Sequence, residues 1–301
     1  MEHSLDLTYH WAGFSALVVF VIAYAFVMAE EFTHLRKSKP VVLAAGLIWG
    51  MIAIAYSNTP HYEMVEHEIR HSFLEYTELA FFLLVAMTYI NALEERNVFN
   101  SLKSWLIKNQ FSYRQLFWIT GVLAFFLSPL ADNLTTALVL CAVVVAVGSS
   151  SPKFVGLACV NIVVAANAGG AFSPFGDITT LMVWQAGQLD FLQFFALVIP
   201  SVVNYIIPAS IMHFFVSDHK PDVAETSVTI KYGGKTIILL GLLTIVTAVS
   251  FHNFLHLPPV FGMMTGLAYL QLYSFYIKIS VKEIEEQKYD FFENVARVEW
   301  D

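Results

Sequence analysis

Two short stretches of this chain echo each other, and each one breaks a long apolar run. Ser128-Pro129-Leu130-Ala131-Asp132-Asn133-Leu134-Thr135-Thr136 lies within the run 116–148. Ser173-Pro174-Phe175-Gly176-Asp177-Ile178-Thr179-Thr180 lies within 154–184. Each reads Ser-Pro, two residues, Asp, then a Thr pair. A carboxylate inside a membrane span is costly, so such residues are rare and usually line ion or proton pathways. Proline removes a helical hydrogen bond, and the freed backbone groups must find other partners where no water is present. A pair of interrupted apolar segments is also the best sequence pointer to a transport site.

Composition agrees with burial in a bilayer. Of the 301 residues, 57% are hydrophobic and 13% charged, and the mean hydropathy is +0.63. A soluble domain carries about 25% charged residues. Spans are predicted near 11–29, 41–57, 72–93, 154–184, 191–216, 236–252 and 258–277. The first is read as a true span, because Met1–His10 lacks the basic stretch of a cleaved signal. Run 116–148 is too long for one crossing, and a hairpin that enters and leaves on one face fits its central Ser-Pro. Lysine and arginine mark cytoplasmic loops. With 30–40 inside and 116–148 re-entrant, fifteen of the 16 basic residues fall on the cytoplasmic side. Only Arg70 lies outside. A simple crossing at 116–148 would break that pattern. The net charge of −8 mixes loops of opposite character, and nothing suggests nucleic acid. Cys141 and Cys159 sit in apolar runs and are read as packing residues.

The expected organisation is a two-span scaffold over 1–71 and a first transport repeat over 72–216, comprising hairpin 116–148 and broken helix 154–184. Two further spans and a charged cytoplasmic connector fill 217–298. Segment 94–114 is read either as an interfacial helix, with Leu102, Trp105 and Leu106 toward lipid, or as a solvated loop. Val298-Glu299-Trp300-Asp301 weakly echoes Leu74-Glu75-Tyr76-Thr77-Glu78. In the topology above the two segments enter from opposite faces, as in an inverted repeat. Residues 299–301 are therefore read as the start of a truncated second repeat.

Each candidate site residue has a plainer reading. Asp132 or Asn133 could simply cap the helix restarting at Leu134, with Thr135 and Thr136 in its first turn. Yet a cap needs one such residue, not both plus two threonines at membrane depth. Carboxylate, amide and hydroxyl oxygens beside unwound carbonyls suit a small hard cation. A carboxylate in a low-dielectric site can also hold a proton near neutral pH, so one group can take either H⁺ or a cation. Asp177 with Thr179 and Thr180 follows the same logic. Asn167, at the expected start of the second break, is a ligand or a structural hydrogen-bonding group. Gly169 and Gly170 are expected to supply conformation. Glu78 shares a helical face with Glu75 and is a candidate for proton or ion access.

His67-Glu68-Ile69-Arg70-His71 matches H-E-x-x-H, in which two histidines on one helical face hold zinc and the glutamate acts as base. The match lies in a stretch rich in His and Glu, outside any enclosed apolar site and with no third ligand at a recognisable spacing. Surface histidines that sense pH at 67 and 71, or plain solvated ones, fit better.

At the two interrupted stretches, at Ala29–Pro40 and at Asn167-Ala168-Gly169-Gly170, the chain resembles the NhaD-type sodium/proton antiporters of the ion transporter superfamily. That resemblance implies an all-α polytopic membrane protein with an inverted-repeat transporter fold, a re-entrant helical hairpin and a broken helix. Set against that pattern, the second repeat is expected to be missing from this chain. It further implies a bacterial inner-membrane location, exchange of Na⁺ or Li⁺ for H⁺, a role in pH homeostasis and activation at alkaline pH. In that family the positions matching Glu78, Asp132, Asn133, Asn167, Asp177, Thr179, Thr180 and Asp301 are linked to transport. No cofactor is expected beyond the transported ions. Lipid and small cations are the expected partners, with a homodimer implied by the resemblance, although no GxxxG-like face is expected to demand one. Related carriers of dicarboxylates or arsenite share the architecture. Dicarboxylate carriers have a Ser-Asn-Thr type tip, where Asp132 here would repel an anion.

Overall fold

The computed structural model describes residues 7–57, 59–60, 62–109, 111–148, 151–220 and 228–280. Among them all regular structure is helical, and eight helical segments are long and apolar enough to cross a membrane. The chain divides into two compact units, the first within Met1–Glu78 and the second Leu79–Val298.

In the first unit α1 (Trp11–Met28) and α3 (Ser38–Tyr56) pack on each other. They are joined through the short α2 (Glu30–Thr33), where His34 turns the chain at a positive φ of 52°. Most of their apolar surface faces outward, including Val42, Leu43 and Ile54, as lipid-facing helices require.

The third span differs from expectation. α4 runs Tyr62–Glu95, beginning ten residues before the predicted 72. Its polar first turns carry side-chain pairs one turn apart. Arg70 grips Glu66 through Nε at 2.9 Å and Nη2 at 2.8 Å, and His71 lies 3.5 Å from Glu75. Such i,i+4 pairs support helical turns that are too polar to read as part of a span.

The second unit holds the remainder of α4, then α5 (Val98–Lys108), α6 (Tyr113–Ala131), α7 (Asn133–Val147), α8 (Pro152–Gly170) and α9 (Ile178–Gln185). A 3₁₀ turn (Phe191–Leu197) leads into α10 (Val198–His213), followed by α11 (Gly234–Leu255) and α12 (Pro259–Ser280). One core gathers side chains of α5 to α8 and α10. The other gathers α4, α9, the 3₁₀ turn, α11 and α12.

α5 is a helix, but its apolar face meets protein. Leu106 is buried and Leu102 packs on the first core, leaving only Trp105 of the predicted lipid-facing trio exposed. In the second core, the Tyr89 hydroxyl donates to the Gly266 carbonyl at 2.7 Å and accepts from Thr244 Oγ1 at 2.9 Å. Gly262 and Gly266 do form a GxxxG pair, which the sequence reading passed over. Methyls there would overlap Ala248 and Thr244, so the pair brings α12 against α11 of the same chain.

Segment 116–148 folds as two helices that turn about the single residue Asp132. Tyr113, opening α6, stacks on Phe154, opening α8, with ring centroids 4.3 Å apart. Gly148, closing α7, also abuts Phe154. The free ends of α6 and α7 therefore meet at one end of the bundle. The end of α10 joins them, since Arg114 Nε donates to Val216 O at 3.0 Å and Tyr113 N to His219 O at 2.9 Å.

Candidate functional site

α6 and α8 run parallel in a fixed register. Asn161 Nδ2 donates to Phe117 O at 2.9 Å, and Ser173 Oγ to Pro129 O at 3.1 Å, each pair 44 residues apart. Asn133 and Asp177 share that separation. The contact needs glycine: a methyl on Gly169 would strike the Phe125 carbonyl, and one on Gly170 the Asn133 side chain. These glycines do not unwind the chain as expected. Asn167 to Gly170 form the last turn of α8, and the break occupies 171–177. Because the sequence echo has nearly the spacing of the helix register, both breaks land at the same level.

At that level two helices end and two begin. α6 ends at Ala131 and α8 at Gly170, so their last carbonyls lack helical partners. α7 begins at Asn133 and α9 at Ile178, each capped by an aspartate. Asp132 accepts from Thr135 N and Thr135 Oγ1, both at 2.8 Å. Asp177 Oδ1 accepts from Thr179 N and Thr179 Oγ1, also at 2.8 Å. The capping reading of these residues is thus realised, though it leaves lone pairs over. A carboxylate accepts about four hydrogen bonds, whereas Asp132 accepts two from Thr135. Capping also does not explain the backbone: Asp132 sits at φ 58°, ψ 163°, a region essentially reserved for glycine.

Asn133 joins the two breaks. Its Oδ1 accepts from Ser128 Oγ, and its Nδ2 donates to Asp177 Oδ2 while lying 3.5 Å from Asn167 Oδ1. Asn167 in turn donates to Val163 O at 2.8 Å. Thr180 Oγ1 lies 2.8 Å from the carbonyls of both Ser173 and Asp177, pinning the restart of α9. Asp177 lies within electrostatic reach of Asp132. Thr136 is buried, and its hydroxyl has no hydrogen-bond partner among the described residues. Ser128 and Ser173 are both buried, while Asn167 and Thr179 are exposed, so the cluster is open on one side.

The structure therefore assembles Asp132, Asn133, Thr135, Asn167, Asp177, Thr179 and Thr180 around the two breaks. Glu78 is half-buried on α4, in the first unit, and forms none of these hydrogen bonds. His67 and His71 lie exposed on α4. Among the described residues no group of three or more His, Cys, Asp or Glu could hold a metal ion, so the H-E-x-x-H match finds no third ligand among them. Glu299 and Asp301, with the connector beyond residue 280, lie outside the described residues. Sequence reasoning left out Ser128, Ser173 and Asn161. The serines open both copies of the echo, and Asn161 is one of two amides, with Asn167, in an otherwise apolar helix, so each carried a legible signal.

The citrate-transporter family profile matches residues 11–285. An Na(+)/H(+) antiporter NhaD from Vibrio cholerae is 51% identical over 99% of this chain and 67% of its own length. Another from Alkalimonas amylolytica is 51% identical over 99% of the chain and 66% of its own length. The chain belongs to the NhaD family of sodium/proton antiporters. A more distant relative, sodium/proton antiporter 1 of Arabidopsis thaliana, is 31% identical over 94% of the chain and 48% of its own length. The chain spans about two thirds of the length of its bacterial NhaD relatives. No solved structure matches. Family membership and the eight apolar helical segments make this a membrane transport protein rather than an enzyme.

Proposed function

We propose that this protein exchanges Na⁺ or Li⁺ for H⁺ across the bacterial inner membrane and so serves pH homeostasis. The observation that carries the reading is the layer in which two helix breaks bring Asp132 and Asp177 together with amide and hydroxyl oxygens. Two carboxylates among hydroxyls and helix-end carbonyls form an oxygen-rich site suited to a hard monovalent cation. Protonation and cation binding compete for the same oxygens, and that competition couples the two fluxes. Asp132 and Asp177 are the exchangeable groups, and Asn133, Thr135, Thr136, Asn167, Thr179 and Thr180 supply neutral contacts. Glu78 serves ion or proton access, Asp301 contributes from beyond the described residues, and His67 and His71 sense outer pH. Rocking of one helix bundle against another would expose the site to each face in turn. The ions are substrate, no resident cofactor is invoked, and the expected surroundings are lipid and a second copy.

An anion carrier would meet two aspartates where its substrate's negative charge must sit, so the cation is favoured. The test is Na⁺-induced dequenching of a pH-sensitive dye in everted membrane vesicles lacking other antiporters. Wild-type protein should give cation-dependent proton flux that Asp132→Asn removes. Absence of flux in the wild type at every pH, or flux that survives Asp132→Asn, would defeat the reading.

A further inference from the structure

We propose that Ser128 is a positioning residue that holds Asn133 as a latch across the cation site, and so sets how much Na⁺ is needed to open it. The inference rests on the exchange reading above. Ser128 is fully buried in the last turn of α6. Its hydroxyl donates to Asn133 Oδ1, which turns the other end of the amide, Nδ2, onto Asp177 Oδ2. In this state the amide oxygen faces away from Asp177, and an N–H occupies the carboxylate oxygen that a cation would need. An N–H group is a partial positive charge and stands where the cation would go.

A cation approaching Asp177 Oδ2 repels that N–H. The amide must then turn and present Oδ1, which requires it to leave Ser128. A helical serine released in this way donates to the carbonyl one turn back, Ala124 O, its ordinary partner. The hydroxyl is satisfied in both states, but only in the latched state does it hold Asn133. Gly170 leaves the room for this arrangement, since a methyl there would overlap Asn133 Oδ1. Removing the hydroxyl weakens the latched state selectively, so the cation should bind more readily. That direction separates the proposal from simple damage, which raises the half-maximal Na⁺ concentration or removes the protein.

The experiment is an Na⁺ titration of dye dequenching in everted vesicles at one fixed pH, for wild type, Ser128→Ala and Ser128→Thr. Ser128→Ala should lower the half-maximal Na⁺ concentration by about fivefold, the equivalent of one buried hydrogen bond, with a maximal rate no higher than wild type. Ser128→Thr keeps the hydroxyl and should stay within about twofold. If Ser128→Ala does not accumulate, Ser128→Cys fills nearly the same volume with a weak donor and should move in the same direction. A half-maximal Na⁺ concentration equal to or above wild type in the variant that accumulates overturns the latch while leaving the exchange reading intact. A wild type without Na⁺-dependent flux overturns both.

Discussion

Asp132 combines a backbone that suits glycine with a carboxylate that the site needs, and the two demands can be separated by substitution. Its φ of 58° and ψ of 163° cost of order 1–3 kcal/mol for a residue with a Cβ. Asp132→Gly removes that strain. It forfeits the N-cap, worth only a few tenths of a kcal/mol when glycine is the replacement. It also forfeits the bond from Thr135 Oγ1, worth about 1 kcal/mol, and adds about 0.5–1 kcal/mol of glycine's extra chain entropy. These effects nearly cancel, so Asp132→Gly should unfold within about 1 kcal/mol of wild type. Asp132→Ala keeps the strain and loses the cap, so it should lie about 1–3 kcal/mol below the glycine variant. Both should lack Na⁺-dependent proton flux. The assay is apparent melting of the purified protein in detergent, paired with dequenching in vesicles. An alanine variant as stable as the glycine variant would refute the strain argument. Flux in Asp132→Gly would refute the role of the carboxylate.

Two further outcomes are expected. Gly169→Ala pushes a methyl into the Phe125 backbone carbonyl, so it should cost about 1–3 kcal/mol or more through overpacking. Gly156→Ala on the same helix meets nothing within 4 Å and should be neutral or stabilising by about 0.4–1 kcal/mol; equal melting of the two variants would contradict the tight α6–α8 contact. Elemental analysis of purified protein should find no stoichiometric zinc, and zinc that is present one-to-one and lost in His71→Ala would reinstate the hydrolase reading.

Much of the fold was legible because the bilayer permits so few solutions. A backbone without water must close its own hydrogen bonds, so apolar runs of spanning length become helices, and their positions follow from composition. The same rule exposed the two breaks, since Ser-Pro-x-x-Asp cannot continue a lipid-facing helix without cause. The start of α4 is hidden because Glu63, Glu66, His67, Glu68, Arg70 and His71 make these turns too polar to read as part of a span, although Val65 and Ile69 keep a helical spacing and the Arg70–Glu66 pair supports it. For Leu102 and Leu106 on α5 the sequence leaves lipid and solvent as alternatives and offers no protein partner, because an apolar face says that something covers it, not what does.

The sequence by itself determined a polytopic helical membrane protein, the two interrupted segments, and the aspartates, amides and threonines at each break. Those follow from residue chemistry in a medium of low dielectric, which acts on every span alone. What only tertiary structure decided is that both breaks meet in one layer, that Gly169 and Gly170 serve close approach and not unwinding, and that Asn133 turns its nitrogen to Asp177 and its oxygen to Ser128. These depend on α6 and α8 lying parallel in one register. Register is set by packing between segments distant in the chain, which no local pattern encodes.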